Sequence, residues 1–220
     1  MNDKTGQSPP DALLLMGTHC PYCPTVLKGL QSLASSGIIG NIETVNIEEQ
    51  PESARKLGVR SVPWVRIGPF ELDGLRSEAE LRGWAEKAGT VAGLADWLDE
   101  LLGSGKLDKV REQLEQDSRV LDAVFMLFAN PDTALNTRIG ISALIEDLEG
   151  SPLLRERIDR LGELAQHPET HIRGDACHYL SLTGSPRAKS LIEPLLDDPE
   201  PEIRTLARES LEHLAQTIRH

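Results

Sequence analysis

The stretch GTHCPYCPTVL runs from Gly17 to Leu27 and places two cysteines, Cys20 and Cys23, three positions apart. A pair with this spacing can be half of a zinc site, a structural disulfide or a dithiol that exchanges electrons with other thiols. The residues around the pair, and what the rest of the chain supplies, decide among these three.

Strand and helix patterns alternate on both sides of the cysteines. An apolar run of strand length precedes them, and apolar residues with helical spacing follow. The last helix of the series opens with Ser77 and, three positions later, Glu80, which is a capping-box pattern. The predicted order is β-α-β-α-β-β-α, a mixed α/β sheet flanked by helices. In order, the segments are 12–17, 24–35, 42–47, 51–58, 62–67, 70–73 and 77–87.

This order, with Cys-Pro-Tyr-Cys between the first strand and the first helix, resembles the thioredoxin superfamily. A second match is Ser61-Val62-Pro63, at the entry to the third strand, where the superfamily places its cis-proline. The resemblance covers roughly residues 10–88 and is strongest to glutaredoxins and the related protein disulfide oxidoreductases.

The resemblance implies a thiol–disulfide oxidoreductase, in which Cys20 attacks, Cys23 resolves and a cis Pro63 faces the dithiol. The helix begins at the cysteines, so its unpaired N–H groups should favour the thiolate of Cys20. The residues that the resemblance implies for substrate binding are Pro21, Tyr22 and Val62.

The other two readings of the cysteine pair have less support. A zinc site needs four ligands, and the first half of the chain adds only His19 to the pair. The first residues lack a basic region followed by a long apolar run, so we expect a soluble cytoplasmic protein, where structural disulfides are rare. The sequence therefore predicts no metal site and no bound cofactor.

Two departures from the resembled families concern the electron donor. Many glutaredoxins hold glutathione with a Gly-Gly pair after the fourth strand, but this chain has the single Gly74 there. Thioredoxins carry a buried acid six residues before the first cysteine, and here that position is Leu14. We therefore expect a protein or flavin reductase, rather than glutathione, to supply electrons.

The second half differs in kind, and we place the boundary near Gly89, giving domains 1–89 and 90–220. Two segments near the end, 167–182 and 198–214, align without gaps at an offset of 31 residues, and 130–148 is a weaker third copy. Helix pairs at such a period resemble HEAT repeats, which predicts an all-α solenoid with a surface for a protein partner.

The repeats contain cysteine, histidine and arginine residues of types that can take part in chemistry. The repeat column that holds Ser142, Cys177 and Arg208 admits arginine, which predicts that Cys177 is partly exposed and incidental. Histidines in this half are interpreted as surface residues. A second column is interpreted as a structural ladder of arginines paired with carboxylates in the turns, and its members are Arg138, Arg173 and Arg204.

Charge limits the partners. Residues 1–89 hold 9 basic and 11 acidic side chains, which leaves 14 basic and 24 acidic side chains for residues 90–220. An acidic second half disfavours nucleic acid and anionic membranes. We therefore predict a protein client with a disulfide or thiol, selected by the repeats. The alternative is a redox-sensitive scaffold for protein interaction that has no catalytic turnover.

Overall fold

A computed structural model describes residues 8–218, and contacts divide the chain into two compact units, one ending at Trp97 and the other starting at Leu98. The first unit contains the sheet, and the second is helical. The domain boundary that the sequence predicts near Gly89 stays a prediction.

The sheet of the first unit has four strands in the order β2-β1-β3-β4. Strand β1 is parallel to β2 and antiparallel to β3, and β3 is antiparallel to β4. This mixed pairing confirms the predicted fold class and puts β1, which leads into the cysteine loop, in the middle of the sheet. The strands are β1 (Ala12–Met16), β2 (Ile42–Asn46), β3 (Trp64–Ile67) and β4 (Phe70–Asp73).

Three helices accompany the sheet: α1 (Cys23–Ser35), α2 (Pro51–Lys56) and α3 (Glu78–Lys87). Helix α1 contacts α3, and Gly29 permits this because a Cβ there would lie 3.2 Å from Leu81 Cδ1. The capping box predicted at the start of α3 is present, with both reciprocal bonds formed. One buried cluster joins the sheet to α2, and its members are Leu13, Leu15, Val45, Ala54 and Trp64.

Helix α4 (Val91–Gly103) begins four residues after α3 ends. Its Trp97 lies 5.9 Å from Phe70 between ring centroids and donates its indole N–H to the carbonyl oxygen of Glu71 at 3.2 Å. The turn into α4 is tight at Gly93, where a Cβ would lie 2.4 Å from the carbonyl oxygen of Lys87.

The second unit consists of short helices, and α10 contacts α7, α9, α11 and α12. Two of its segments are interrupted. Residues 153–165 divide between α8 and α9, and the helix that begins at Pro186 changes to a 3₁₀ turn at Glu193, beside Pro194, which lacks an N–H. The helices are α5 (Leu107–Gln116), α6 (Arg119–Phe128), α7 (Leu135–Glu146), α8 (Pro152–Arg155), α9 (Ile158–Leu164), α10 (Thr170–Leu182), α11 (Pro186–Ile192) and α12 (Pro201–Thr217).

The arginine column follows the predicted ladder at one of its three positions. Arg173 makes a two-pronged ion pair with the turn residue Asp198, with Nε–Oδ2 at 2.8 Å and Nη2–Oδ1 at 3.1 Å. Arg138 instead pairs with Asp175, which lies within α10 rather than in a turn.

The third member of the column, Arg204, contacts backbone rather than a carboxylate. Its Nη1 donates to the carbonyl oxygens of Asp198 and Pro199 at 2.7 and 2.9 Å. Arg173 Nη1 makes the same two bonds one repeat earlier, to His167 and Pro168, both at 2.9 Å. The repeated function of the column is therefore to close the turn that precedes each helix.

The prediction that Cys177 is partly exposed is wrong, because its side chain is fully buried. The repeat column misled because α10 packs against helices on several sides, whereas α12 is the last described helix and leaves Arg208 exposed. Equivalent columns in a helical repeat have equivalent burial only where both repeats have neighbours.

Candidate functional site

The cysteine pair lies between β1 and α1. Cys20 precedes the helix and is half-buried, whereas Cys23 is the first residue of α1 and fully buried. A disulfide joins them, with the two Cα atoms 5.5 Å apart, which is a usual separation for such a bond. Of the two sulfurs, the one that a second molecule can approach is therefore that of Cys20.

The start of α1 places the sulfur of Cys20 at an N–H donor. The amide of Cys23 donates to Cys20 Sγ at 3.1 Å, while the N-cap residue Tyr22 makes no side-chain capping bond. Pro24 sits in the first turn, where its missing N–H costs nothing. The sulfur thus occupies the position of a capping acceptor, where helix N–H groups favour negative charge.

The Val62–Pro63 peptide bond is cis, which confirms that prediction. Pro63 is buried and Val62 half-buried, and the carbonyl oxygen of Pro63 accepts the N–H of Gly74 at 2.9 Å. Val62 and Cys20 both lie close to Gly17. A Cβ at Gly17 would lie 3.3 Å from Val62 Cγ2 and 3.9 Å from Cys20 Cβ. The two sequence landmarks therefore converge on one place in the fold.

The remaining sequence-predicted residues lie at the same loop. Pro21 and Tyr22 are exposed, and Tyr22 keeps 54% of its surface accessible. His19 is also exposed. Leu14 is fully buried on β1, so the position that holds an acid in thioredoxins is apolar here.

Three polar residues at the site escaped sequence analysis as a group: Thr18, Asn46 and Glu48. The amide of Thr18 donates to Glu48 Oε1 at 3.0 Å, and Asn46 Nδ2 donates to Thr18 Oγ1 at 3.0 Å. Asn46 Oδ1 also accepts the N–H of Glu48 at 3.0 Å. Asn-x-Glu after a strand suggests a local turn, but its contact with a loop some 30 residues away has no sequence signal.

The hydrogen bonds from Thr18, first through its side chain and then through its amide, lower the pKa of the Glu48 carboxyl, and His19 acts in the same direction. Glu48 is therefore a carboxylate at neutral pH. A Cβ at Gly17 would lie 3.3 Å from Glu48 Oε1, so the Glu48 carboxylate lies beside the same glycine as Val62 and Cys20.

Among residues 8–218, no three His, Cys, Asp or Glu side chains are grouped as metal ligands. Also among these residues, no helix has the length and apolar character needed to cross a membrane.

The strand order, the cis-proline and the cysteine pair at a helix start define a thioredoxin-like domain. Comparison with protein families agrees: residues 12–86 match the thioredoxin domain, and residues 143–212 match HEAT repeats. The chain thus consists of a thioredoxin-like domain fused to C-terminal HEAT repeats. No curated protein matches it.

Proposed function

We propose that the protein is a thiol–disulfide oxidoreductase whose reacting groups are Cys20 and Cys23. The observation that carries this proposal is the different setting of the two sulfurs. Cys20 is accessible and accepts an N–H at a helix start, which favours its thiolate, whereas Cys23 is buried behind it. This difference favours attack on the substrate by Cys20 and resolution of the mixed disulfide by Cys23.

The reaction starts from the reduced pair. The Cys20 thiolate attacks one sulfur of a client disulfide, which forms a mixed disulfide and releases the first client thiolate. Cys23, deprotonated, then attacks Cys20 Sγ, which forms the Cys20–Cys23 disulfide and releases the second client thiolate. The client gains two electrons, its two thiolates take up protons, and a reductase returns two electrons to the cysteine pair.

Binding of an extended peptide at Cys20 is part of this proposal. Pro21 and Tyr22 follow Cys20 in the chain and are exposed, and Val62 Cγ2 lies 3.3 Å from a Cβ placed on Gly17. We assign these three residues to substrate binding, and Pro63 to holding the Val62 backbone toward the dithiol.

The HEAT repeats supply protein interaction in this proposal. Solenoids of this kind leave a long surface free for a partner. We assign that surface to selecting a client, and we place the reaction in the cytoplasm, because the pair must be reduced before it attacks.

The start of α3 supports a donor other than glutathione. A helix N-terminus can bind a ligand's carboxylate, but here the N–H and the hydroxyl of Ser77 already donate to Glu80 Oε2, at 2.8 and 2.7 Å. A carboxylate of glutathione would have to displace that internal one. We therefore assign the electron supply to a protein or flavin reductase.

Turnover of a disulfide substrate tests the proposal. The full-length protein is assayed with thioredoxin reductase and NADPH, and in parallel with glutathione and glutathione reductase. We expect the wild-type protein to turn over the substrate with either donor, faster with the first, and the Cys20→Ser variant to show no turnover with either. A tight, saturable glutathione site in titration calorimetry would contradict the donor assignment. Redox-dependent protein binding without turnover would favour the scaffold alternative.

A further inference from the structure

The loop that carries Cys20 is attached to the turn after β2 through one carboxylate. Glu48 accepts the amide N–H of Thr18, two residues before Cys20, and Asn46 bonds both to Thr18 and to Glu48. Local bonds also hold the loop: the Cys20 amide donates to the carbonyl oxygen of Gly17 at 3.3 Å, and the Cys23 amide donates to Cys20 Sγ at 3.1 Å. Glu48 adds to these a contact from another element.

The Glu48 carboxylate is also close to Cys20. From a Cβ placed on Gly17, Glu48 Oε1 is 3.3 Å away and Cys20 Cβ is 3.9 Å away. The oxygen and the Cys20 Cβ are therefore separated by no more than these two distances together. That separation is comparable with the Debye length of about 8 Å at physiological ionic strength, so the charge of the exposed Glu48 carboxylate acts on Cys20 with partial screening.

Two opposing electrostatic effects thus act on Cys20. The N–H of Cys23 favours negative charge on the sulfur, while the Glu48 carboxylate disfavours it. The other titratable side chains of this loop besides the cysteines are Tyr22 and His19, and the positive form of His19 would offset Glu48. The first turn of α1, which the structure describes in full, has no acidic residue. Glu48 is consequently the carboxylate that the turn after β2 brings to the loop beside the dithiol.

We propose that Glu48 is a positioning residue that fixes the Cys20 loop through Thr18, and that its negative charge restrains ionisation of Cys20. This inference rests on the proposed function, which assigns Cys20 as the nucleophile. A restrained thiolate is a stronger nucleophile once formed, because the nucleophilicity of a thiolate falls as the pKa of its thiol falls. Glu48 would thus lower the fraction of Cys20 that is ionised and raise the nucleophilicity of the thiolate that does form.

Two substitutions separate the charge from the hydrogen bond. Glu48→Gln removes the charge and keeps an oxygen that can accept the Thr18 N–H, whereas Glu48→Ala removes both. Glu43→Gln is the matched control, because Glu43 is an exposed acid at the opposite end of β2 from Asn46.

The first readout is the rate of alkylation of Cys20 against pH, measured in the full-length Cys23→Ser background. Cys177 stays silent, because burial raises its thiol pKa to about 11. We expect the Cys20 midpoint to fall by about half a pH unit in Glu48→Gln, and not to move measurably in Glu43→Gln. An unmoved midpoint in Glu48→Gln overturns the role of the charge.

The second readout is hydrogen exchange of the Thr18 amide. We expect exchange to rise roughly fivefold in Glu48→Ala, the equivalent of one lost hydrogen bond, and to stay near the wild-type rate in Glu48→Gln. Equal protection of Thr18 in wild type and Glu48→Ala overturns the positioning role. Failure of the proposed function would look different: the wild type would reduce no disulfide, whatever the Cys20 alkylation profile showed.

Discussion

The sulfurs of Cys20 and Cys177 lie in opposite surroundings. Cys20 is half-buried and accepts the Cys23 N–H, which favours its thiolate. Cys177 is fully buried in α10, and burial raises its pKa to about 11, so it stays protonated at neutral pH. The two cysteines therefore differ in the two features that set thiol reactivity, which are exposure to solvent and position relative to the start of a helix.

At the residue scale, we predict that Cys20→Ser abolishes disulfide reduction, because the chain places no other sulfur at that position. Cys177→Ser should leave turnover within about threefold of wild type, since a buried, protonated thiol takes no part. Turnover is measured in the full-length protein with the better donor. Similar losses in both variants would refute the assignment of Cys20.

At the element scale, the junction of α3 and α4 depends on a glycine. A Cβ at Gly93 would lie 2.4 Å from the carbonyl oxygen and 2.7 Å from the Cβ of Lys87, so backbone would have to move. Gly83, in the interior of α3, is the contrasting case, because a Cβ there meets nothing within 4 Å.

We expect Gly93→Ala to lower the free energy of unfolding by about 1–3 kcal/mol. Gly83→Ala should raise it by about 0.5–1 kcal/mol, because alanine loses less backbone entropy in a helix. Urea denaturation followed by circular dichroism measures both. Equal stability of the two variants would show that the close approach at Gly93 has no energetic consequence.

The ion pair between Arg173 and Asp198 is the second element-scale case. Only 12% and 5% of these two side chains are exposed. The pair of Arg187 and Asp159 is the surface comparison, with 59% and 70% exposed. Asp198→Asn should cost about 2 kcal/mol of unfolding free energy, and Asp159→Asn at most about 0.5 kcal/mol. Denaturation midpoints at neutral pH measure both, and equal losses would contradict the role of burial.

The stability contributed by Asp198 should depend on pH. The hydrogen bonds from Arg173 are the main reason that the pKa of the Asp198 carboxyl is lowered. A lowered folded-state pKa stabilises the fold at pH values above the ordinary aspartate pKa of about 3.9, and this stabilisation is lost as pH falls through the lowered value. The difference in midpoint between wild type and Asp198→Asn should therefore shrink below about pH 4. A difference that stays constant into acid would refute the pairing.

At the scale of the whole molecule, the acidic character of residues 90–220 predicts the kind of client. With 14 basic and 24 acidic side chains, this part of the chain is expected to attract positively charged proteins. Cys23→Ser in the full-length protein should trap a client as a mixed disulfide, because the second cysteine can no longer resolve it.

We expect the yield of trapped client to fall several-fold when salt is raised from about 0.05 to 0.5 M, since the Debye length shortens. Reduction of a small uncharged disulfide should change little. Adducts are isolated under non-reducing conditions, with the Cys20→Ser/Cys23→Ser double variant as the control that forms none. Salt-independent trapping would refute electrostatic selection by the acidic part of the chain.

The sequence by itself determined the features that depend on neighbours along the chain. Apolar periodicity and turn residues predicted each strand of the sheet, and Ser77 with Glu80 predicted the cap of α3. The spacing of Cys20 and Cys23, together with Val62-Pro63, predicted where the site would form. The 31-residue offset aligned Arg173 with Arg204, and these two arginines make the same pair of bonds to turn carbonyls. The predicted pairing with a turn carboxylate holds only for Arg173.

Only the tertiary structure decided the features that depend on segments distant in sequence. The contact of Glu48 with Thr18 spans 30 residues and that of Trp97 with Glu71 spans 26, and no local pattern specifies either. The burial of Cys177 depends on which helices cover α10, which an alignment of repeat columns does not contain. Periodicity along a chain specifies which face of an element is apolar, whereas the partner that covers that face is set by packing in three dimensions.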